Sequence, residues 1–181
     1  MSAFELLPGL PPYGPQALPF SATDQGTHSE GLVVRFTADD CTCWTGNFQP
    51  GSGQCETVVR HPDERRFVVF AGGQAYVVDP NDSSRWEHFG GSIETAIEIK
   101  DLNALLFGNG LWFELLGANG TIWRSRRISW DGMRDVTIQG LILTGQSWCY
   151  DDTWTEFALD LVEGTVTGGS YRGPGSPEYA T

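Results

Sequence analysis

The chain has 181 residues, 19% of them charged and 40% hydrophobic, which suits one domain with a real core and excludes wholesale disorder. Its 23 acidic and 11 basic side chains give a net charge of -12, which excludes nucleic acid as a partner, because a phosphate backbone demands a basic surface. No apolar run reaches the roughly eighteen residues of a membrane span, and the first twenty residues hold five prolines and no Lys or Arg, unlike a signal peptide. The expectation is a cytoplasmic protein with reduced cysteines.

Residues 1–20, MSAFELLPGLPPYGPQALPF, are Pro-rich but not polar. Proline favours an extended backbone. Phe4, Leu6, Leu7, Leu10, Tyr13, Leu18 and Phe20 each gain about 1.5–3 kcal/mol if fully buried. The prediction is an extended strap across the domain, followed by a polar linker over 21–31. LVVRF (32–36) then reads as a short strand. In CTCW (41–44), Cys41 and Cys43 fall on one face of a strand and read as small core residues. HPDERR (61–66) reads as a surface turn with Pro62 at its first corner and weak Asp63–Arg65 or Glu64–Arg66 pairs.

FVVFAGG (67–73) is a strand ended by Gly72-Gly73, and Asn109-Gly110 is a second hairpin signal; both predict two-residue turns. SIETAIEIK (92–100) alternates, with Ile93, Thr95, Ile97 and Ile99 opposite Glu94, Glu98 and Lys100. TEFALDL (155–161) does the same, setting Phe157, Leu159 and Leu161 opposite Glu156 and Asp160. Residues 67–86 align without gaps on 104–123 at an offset of 37, matching Phe70 with Phe107, Gly73 with Gly110, Tyr76 with Phe113, and Trp86 with Trp123. Each unit reads as a three-stranded meander, with Trp86 and Trp123 as core. The 23 glycines and 10 prolines suit many short strands, and no amphipathic helix longer than two turns is visible.

The fold class expected is therefore all-β, an antiparallel meander of short strands forming two packed sheets. The alternative is a small β-propeller-like arrangement of units of about 37 residues. The expected organisation is a strap over 1–20, a single domain over 21–171 and a flexible tail over 172–181.

The charge pattern breaks in WRSRRISWDGMR (123–134), where Arg124, Arg126, Arg127 and Arg134 gather in an otherwise acidic chain. If this stretch is a strand, Arg124 and Arg126 share parity with Ile122 and Ile128, whereas Arg127 shares it with Trp123. Either face would bury an arginine, and a buried arginine must be paired. The carboxylates expected to pair it are Asp131, Asp135 and Glu114, which makes the strip mainly structural; the rival reading is an anion-binding cleft.

CYDDTW (149–154) adds adjacent carboxylates between Trp148 and Trp154. Paired acids flanked by aromatics suggest sugar chemistry, although adjacent Asp side chains more simply sit in a loop. Ligand- or partner-binding candidates are Arg126, Arg127, Trp130, Asp131, Trp148, Tyr150 and Asp151. No catalytic residue is assigned. The spacing of Cys41, Cys43, Cys55 and His61 matches no familiar zinc site, so neither metal nor cofactor is expected.

The function expected is a non-enzymatic interaction protein that binds a basic protein, with a bacterial immunity or inhibitor protein as one concrete version. The alternative is a small-ligand or carbohydrate domain using Trp130, Trp148, Arg126 and Arg127, with glycosidase-like hydrolysis by Glu114, Asp151 or Glu156.

Overall fold

A computed structural model describes residues 2–23 and 28–174. The chain is all-β; among the described residues it has sixteen strands in four sheets of four strands each and a single turn of 3-10 helix at Lys100–Leu102. It divides into two compact units, Met1–Glu94 and Thr95–Thr181. The expected tail falls outside the described residues from 175 onward.

The first unit holds β1 (Ala3–Leu7), β2 (Leu18–Phe20), β3 (Leu32–Thr37) and β4 (Cys43–Phe48) in the order β1-β3-β4-β2. Here β2 runs parallel to β4, and the other pairs are antiparallel. Its second sheet is a plain meander of β5 (Thr57–Arg60), β6 (Phe67–Ala71), β7 (Gln74–Asp79) and β8 (Asp82–Gly90). One apolar cluster joins the two sheets, drawing Phe20, Phe36 and Phe48 from one and Phe67, Val69 and Tyr76 from the other. The Tyr76 hydroxyl stays paired by donating to the Gln49 carbonyl at 2.8 Å.

Within the predicted strap, residues 3–7 and 18–20 form edge strands. Phe20 is 1% exposed and stacks on Phe48 at 4.6 Å. Phe4, Leu6, Leu10, Tyr13 and Leu18 remain exposed, so the segment is held largely by main-chain ladders and by one buried ring.

The second unit holds β9 (Thr95–Ile99), β10 (Ala104–Gly108), β11 (Phe113–Gly117) and β12 (Gly120–Arg124) in one meander sheet. The other is β13 (Met133–Gln139), β14 (Ile142–Trp148), β15 (Trp154–Asp160) and β16 (Val166–Gly168). Leu106, Phe113 and Leu115 from the first sheet share a core with Leu143, Phe157 and Leu159 from the second. The alternation read over 155–161 is present, with Phe157, Leu159 and Leu161 buried and Glu156 exposed.

The two hairpin signals have different outcomes. Gly72 and Gly73 form a two-residue turn with φ of 50° and 80°, and Ala71 pairs with Gln74 across it. Asn109-Gly110 instead begins a four-residue loop, because Gly108 pairs with Phe113. The Asn109 side-chain oxygen accepts from the amides of Leu111 and Trp112 and so takes over the role of a backbone turn.

That longer loop displaces β11 relative to β7, so the gapless repeat holds for β6 and β10 and then drifts. Phe70, Phe107, Tyr76 and Phe113 are all buried, but Trp86 is 37% exposed and Trp123 only half-buried. The two tryptophans sit at the margins of their cores, correcting the expectation that both are core. Cys41 and Cys43 are also corrected. Both are exposed, because β4 begins only at Cys43 and Cys41 occupies a left-handed turn with φ of 69°.

Candidate functional site

The arginine strip leaves the sheet where Ser125 begins it. The Ser125 hydroxyl accepts the Phe113 amide at 3.1 Å, taking a ladder position that a main-chain carbonyl would otherwise fill. Strand pairing of β12 stops at Arg124, and the parity argument no longer applies. The inward side chains of this connection are Ser125, Ile128 and Ser129, while Arg126 and Arg127 are half-buried. Ile128 is fully buried, and its carbonyl accepts from the amides of both Ser170 and Tyr171.

The predicted carboxylate pairing is corrected. Arg126 donates to the carbonyls of Arg127 at 2.9 Å and Gly168 at 2.5 Å. Arg127 donates to the carbonyls of Ser129 at 2.9 Å and Trp130 at 2.7 Å, and its guanidinium lies 4.7 Å from the Tyr171 ring centre. The carboxylates go elsewhere. Glu114 pairs with Arg124 at 2.9 Å and accepts the Trp112 indole N–H; Asp135 lies 3.5 Å from Arg134; Asp131 is exposed. A connection that has left its sheet carries unpaired carbonyls, and the guanidinium groups satisfy them.

Trp130, Tyr150 and Tyr171 come together as an aromatic group. Trp130 meets Tyr171 edge-on at 4.8 Å and Tyr150 at 5.8 Å. Its indole Nε1 is buried and, among the described residues, has no hydrogen-bond partner. Tyr150 is 72% exposed in the loop 149–153 between β14 and β15. Asp151 caps that loop by accepting the Thr153 hydroxyl at 2.6 Å and the Thr153 amide at 3.2 Å, and the Thr153 hydroxyl bond is the main cause that lowers its pKa. Asp152 follows in a left-handed conformation, with φ of 61°.

Trp148 serves through its backbone. Its carbonyl accepts from the Trp130 amide and the Ser129 and Ser170 hydroxyls, and its amide donates to Gly132. Tyr171, Ser129 and Ser170 were not singled out from sequence. A lone tyrosine after Gly-Gly-Ser carries no pattern that would mark it.

A groove of about 550 Å³ lies along the β13–β16 sheet, lined by Asp135, Thr144, Gln146, Glu156 and Thr167. Gly145, Phe157 and Gly168 form one row across three strands. A Cβ on Gly145 would come within 3.0 Å of the Phe157 ring, so the glycine makes room for that ring on the core side. Of the acids considered for hydrolysis, Glu156 lines this groove, whereas Glu114 and Asp151 are occupied as described. Burial and the Glu94 charge push the Cys55 thiol up to about 11, so it is not a thiolate nucleophile at neutral pH.

No helix among the described residues is long and apolar enough to cross a membrane, and no group of three or more His, Cys, Asp or Glu among them is placed to hold a metal ion. No family model and no curated protein matches the chain. Among solved structures, the crystal structure of a puromycin hydrolase resembles it with a TM-score of 0.42 and 15% identity, over 82% of this chain and 26% of that one. The chain thus spans about a quarter of that hydrolase's length, a likeness too slight to carry a functional argument.

Proposed function

We propose that the chain is a non-enzymatic binding protein whose basic protein partner docks on the aromatic and acidic patch around Tyr150. The observation that carries this reading is the ring arrangement. Tyr150 stands 72% exposed and edge-on to Trp130, which also meets the Tyr171 ring at 4.8 Å. A large exposed ring in a defined place is the usual anchor of a protein interface. Asp131, Asp151 and Asp152, exposed beside these rings in the chain, supply negative charge that steers a cationic surface.

Indole-15N-labelled protein titrated with poly-arginine tests this. The Trp130 indole signal is expected to shift and to stop responding in Tyr150→Ala. An unchanged response in Tyr150→Ala would mean that the peptide binds through bulk charge, and the reading fails.

The second reading, a small-ligand or carbohydrate site with hydrolysis, draws on the groove that holds Glu156 and Asp135. Turnover of chromogenic glycosides that is lost in Glu156→Gln would favour it over the first.

A further inference from the structure

The first unit contains a cavity of about 710 Å³ that gathers Arg60, Arg65, Arg66 and Arg85, four of the ten arginines of an acidic chain. It lies where the β5–β6 turn meets the loops after β3 and β7. Asp39 and Asn81 bridge those two loops through a pair of hydrogen bonds of 2.9 and 3.2 Å.

Its four arginines are not equally compensated. Arg66 is fully spent, bonded to Asp63 at 2.6 Å and Glu87 at 2.7 Å. Arg60 is half-buried and fixed in place by the carbonyls of Glu64 at 3.0 Å and Ser2 at 3.2 Å, with its guanidinium 4.7 Å from the Phe67 ring centre. It forms no ion pair among the described residues. Arg65 is exposed and likewise in no ion pair there. Arg85 is 75% exposed and only 3.9 Å from Asp79.

The acids lining the cavity are largely committed. Asp63 serves Arg66 and the turn amides, and Asp79 accepts the Asn81 amide at 2.9 Å. Glu64 remains exposed on the rim.

We propose that this cavity binds a small molecule bearing a polyphosphate or clustered phosphate groups, with Arg60 as the fixed cation and Arg65 and Arg85 closing on the ligand. Three weakly compensated guanidinium groups call for a compact ligand with several negative charges, which a single carboxylate does not supply. Planar guanidinium forks match phosphate oxygens two at a time. The volume falls in the range of small-molecule sites.

Calorimetric titration of the full chain with pyrophosphate at low ionic strength is the test. One site is expected, weakening as salt is raised. The double variant Arg65→Ala/Arg85→Ala should bind about a hundredfold more weakly, through loss of two charge-assisted contacts, with its melting temperature unchanged. Glu64→Gln should tighten binding by removing a rim charge. Arg124→Ala, in the other unit, should leave it unaltered. Absence of pyrophosphate binding, equal weakening by Arg124→Ala, or citrate binding as tightly as pyrophosphate would each overturn the proposal.

Discussion

Between Trp123 and Arg134, and again between Arg60 and Arg66, the chain concentrates arginine against its overall charge, and both stretches leave a strand that precedes them. In the second unit, Arg126 and Arg127 turn back onto the carbonyls of their own connection and of Gly168. In the first, the turn closes on carboxylates. Asp63 caps two amides and holds Arg66, which leaves Arg60 and Arg65 outside any ion pair among the described residues. The difference follows from what each segment lacks. A long irregular connection has carbonyls to satisfy, and guanidinium groups are the donors available. A tight turn has amides to satisfy, and a carboxylate does that while drawing in one cation. Arg126 and Arg127 are consumed by structure, whereas in the first region Arg66 and Arg60 are held by carboxylates and carbonyls and Arg65 stays exposed outside any ion pair among the described residues.

If this comparison holds, the strip depends first on its apolar anchor. Ile128→Ala should be the most damaging change, at about 3–4 kcal/mol, because a fully buried side chain leaves a cavity beneath the connection. Arg127→Ala should cost about 2 kcal/mol, since it strands the Ser129 and Trp130 carbonyls and removes the cation over Tyr171. Urea denaturation of both variants checks the order. A larger loss for Arg127→Ala would mean that the guanidinium, not the isoleucine, organises this segment.

The strands were legible wherever a period of two or a β-branched run was intact, as in 32–36, 67–71 and 155–160. The half-exposed character of β9 was legible for the same reason. What sequence could not give was the point at which a strand stops. Ser125 ends β12 by accepting the Phe113 amide through its side chain, and no local pattern distinguishes it from a serine that continues a ladder. The parity argument therefore led to a buried arginine paired with a carboxylate, when the face it assumed does not exist. Asn109 is a similar case, in which a two-residue hairpin signal was captured by the side chain as a longer loop. The aromatic patch was half legible. Trp130 and Tyr150 lie in turn-rich stretches that invite attention, but Tyr171 reaches them through the pairing of Ser170 and Tyr171 with Ile128 and of Ser170 with Ser147 and Trp148.

The two arginine regions should also separate by pH. Burial alone would raise the Asp63 carboxyl, but the Arg66 amide and guanidinium and the Arg65 amide outweigh it and hold the pKa at about 2, below the ordinary 3.8. A carboxyl whose folded value is depressed favours the folded state above its unfolded value. That contribution is present above pH 3.8 and lost as pH falls toward about 2. Burial lowers the pKa of His61 from 6.5, against the opposing pull of Asp63. The unfolded chain then takes up the proton first, and stability declines as pH drops below 6.5. Asp63→Asn should cost about 1–2 kcal/mol at neutral pH and flatten the acid limb of the stability profile. Arg127→Ala should lower the profile without flattening that limb, because its carbonyl partners do not titrate. An unaltered acid limb in Asp63→Asn would place the acid sensitivity elsewhere.

Arg65→Ala is the smallest change and the sharpest separation of structure from binding. The side chain is exposed and joins no ion pair among the described residues, so its loss should move stability by less than about 0.5 kcal/mol. Its backbone amide, which Asp63 caps at 2.9 Å, survives the substitution, so the turn keeps its shape. The expected outcome is an unchanged denaturation midpoint together with weaker pyrophosphate binding in calorimetry. A fall in stability as large as that of Arg127→Ala would mean that the turn consumes Arg65 structurally as it does Arg66, and the contrast between the two regions would disappear.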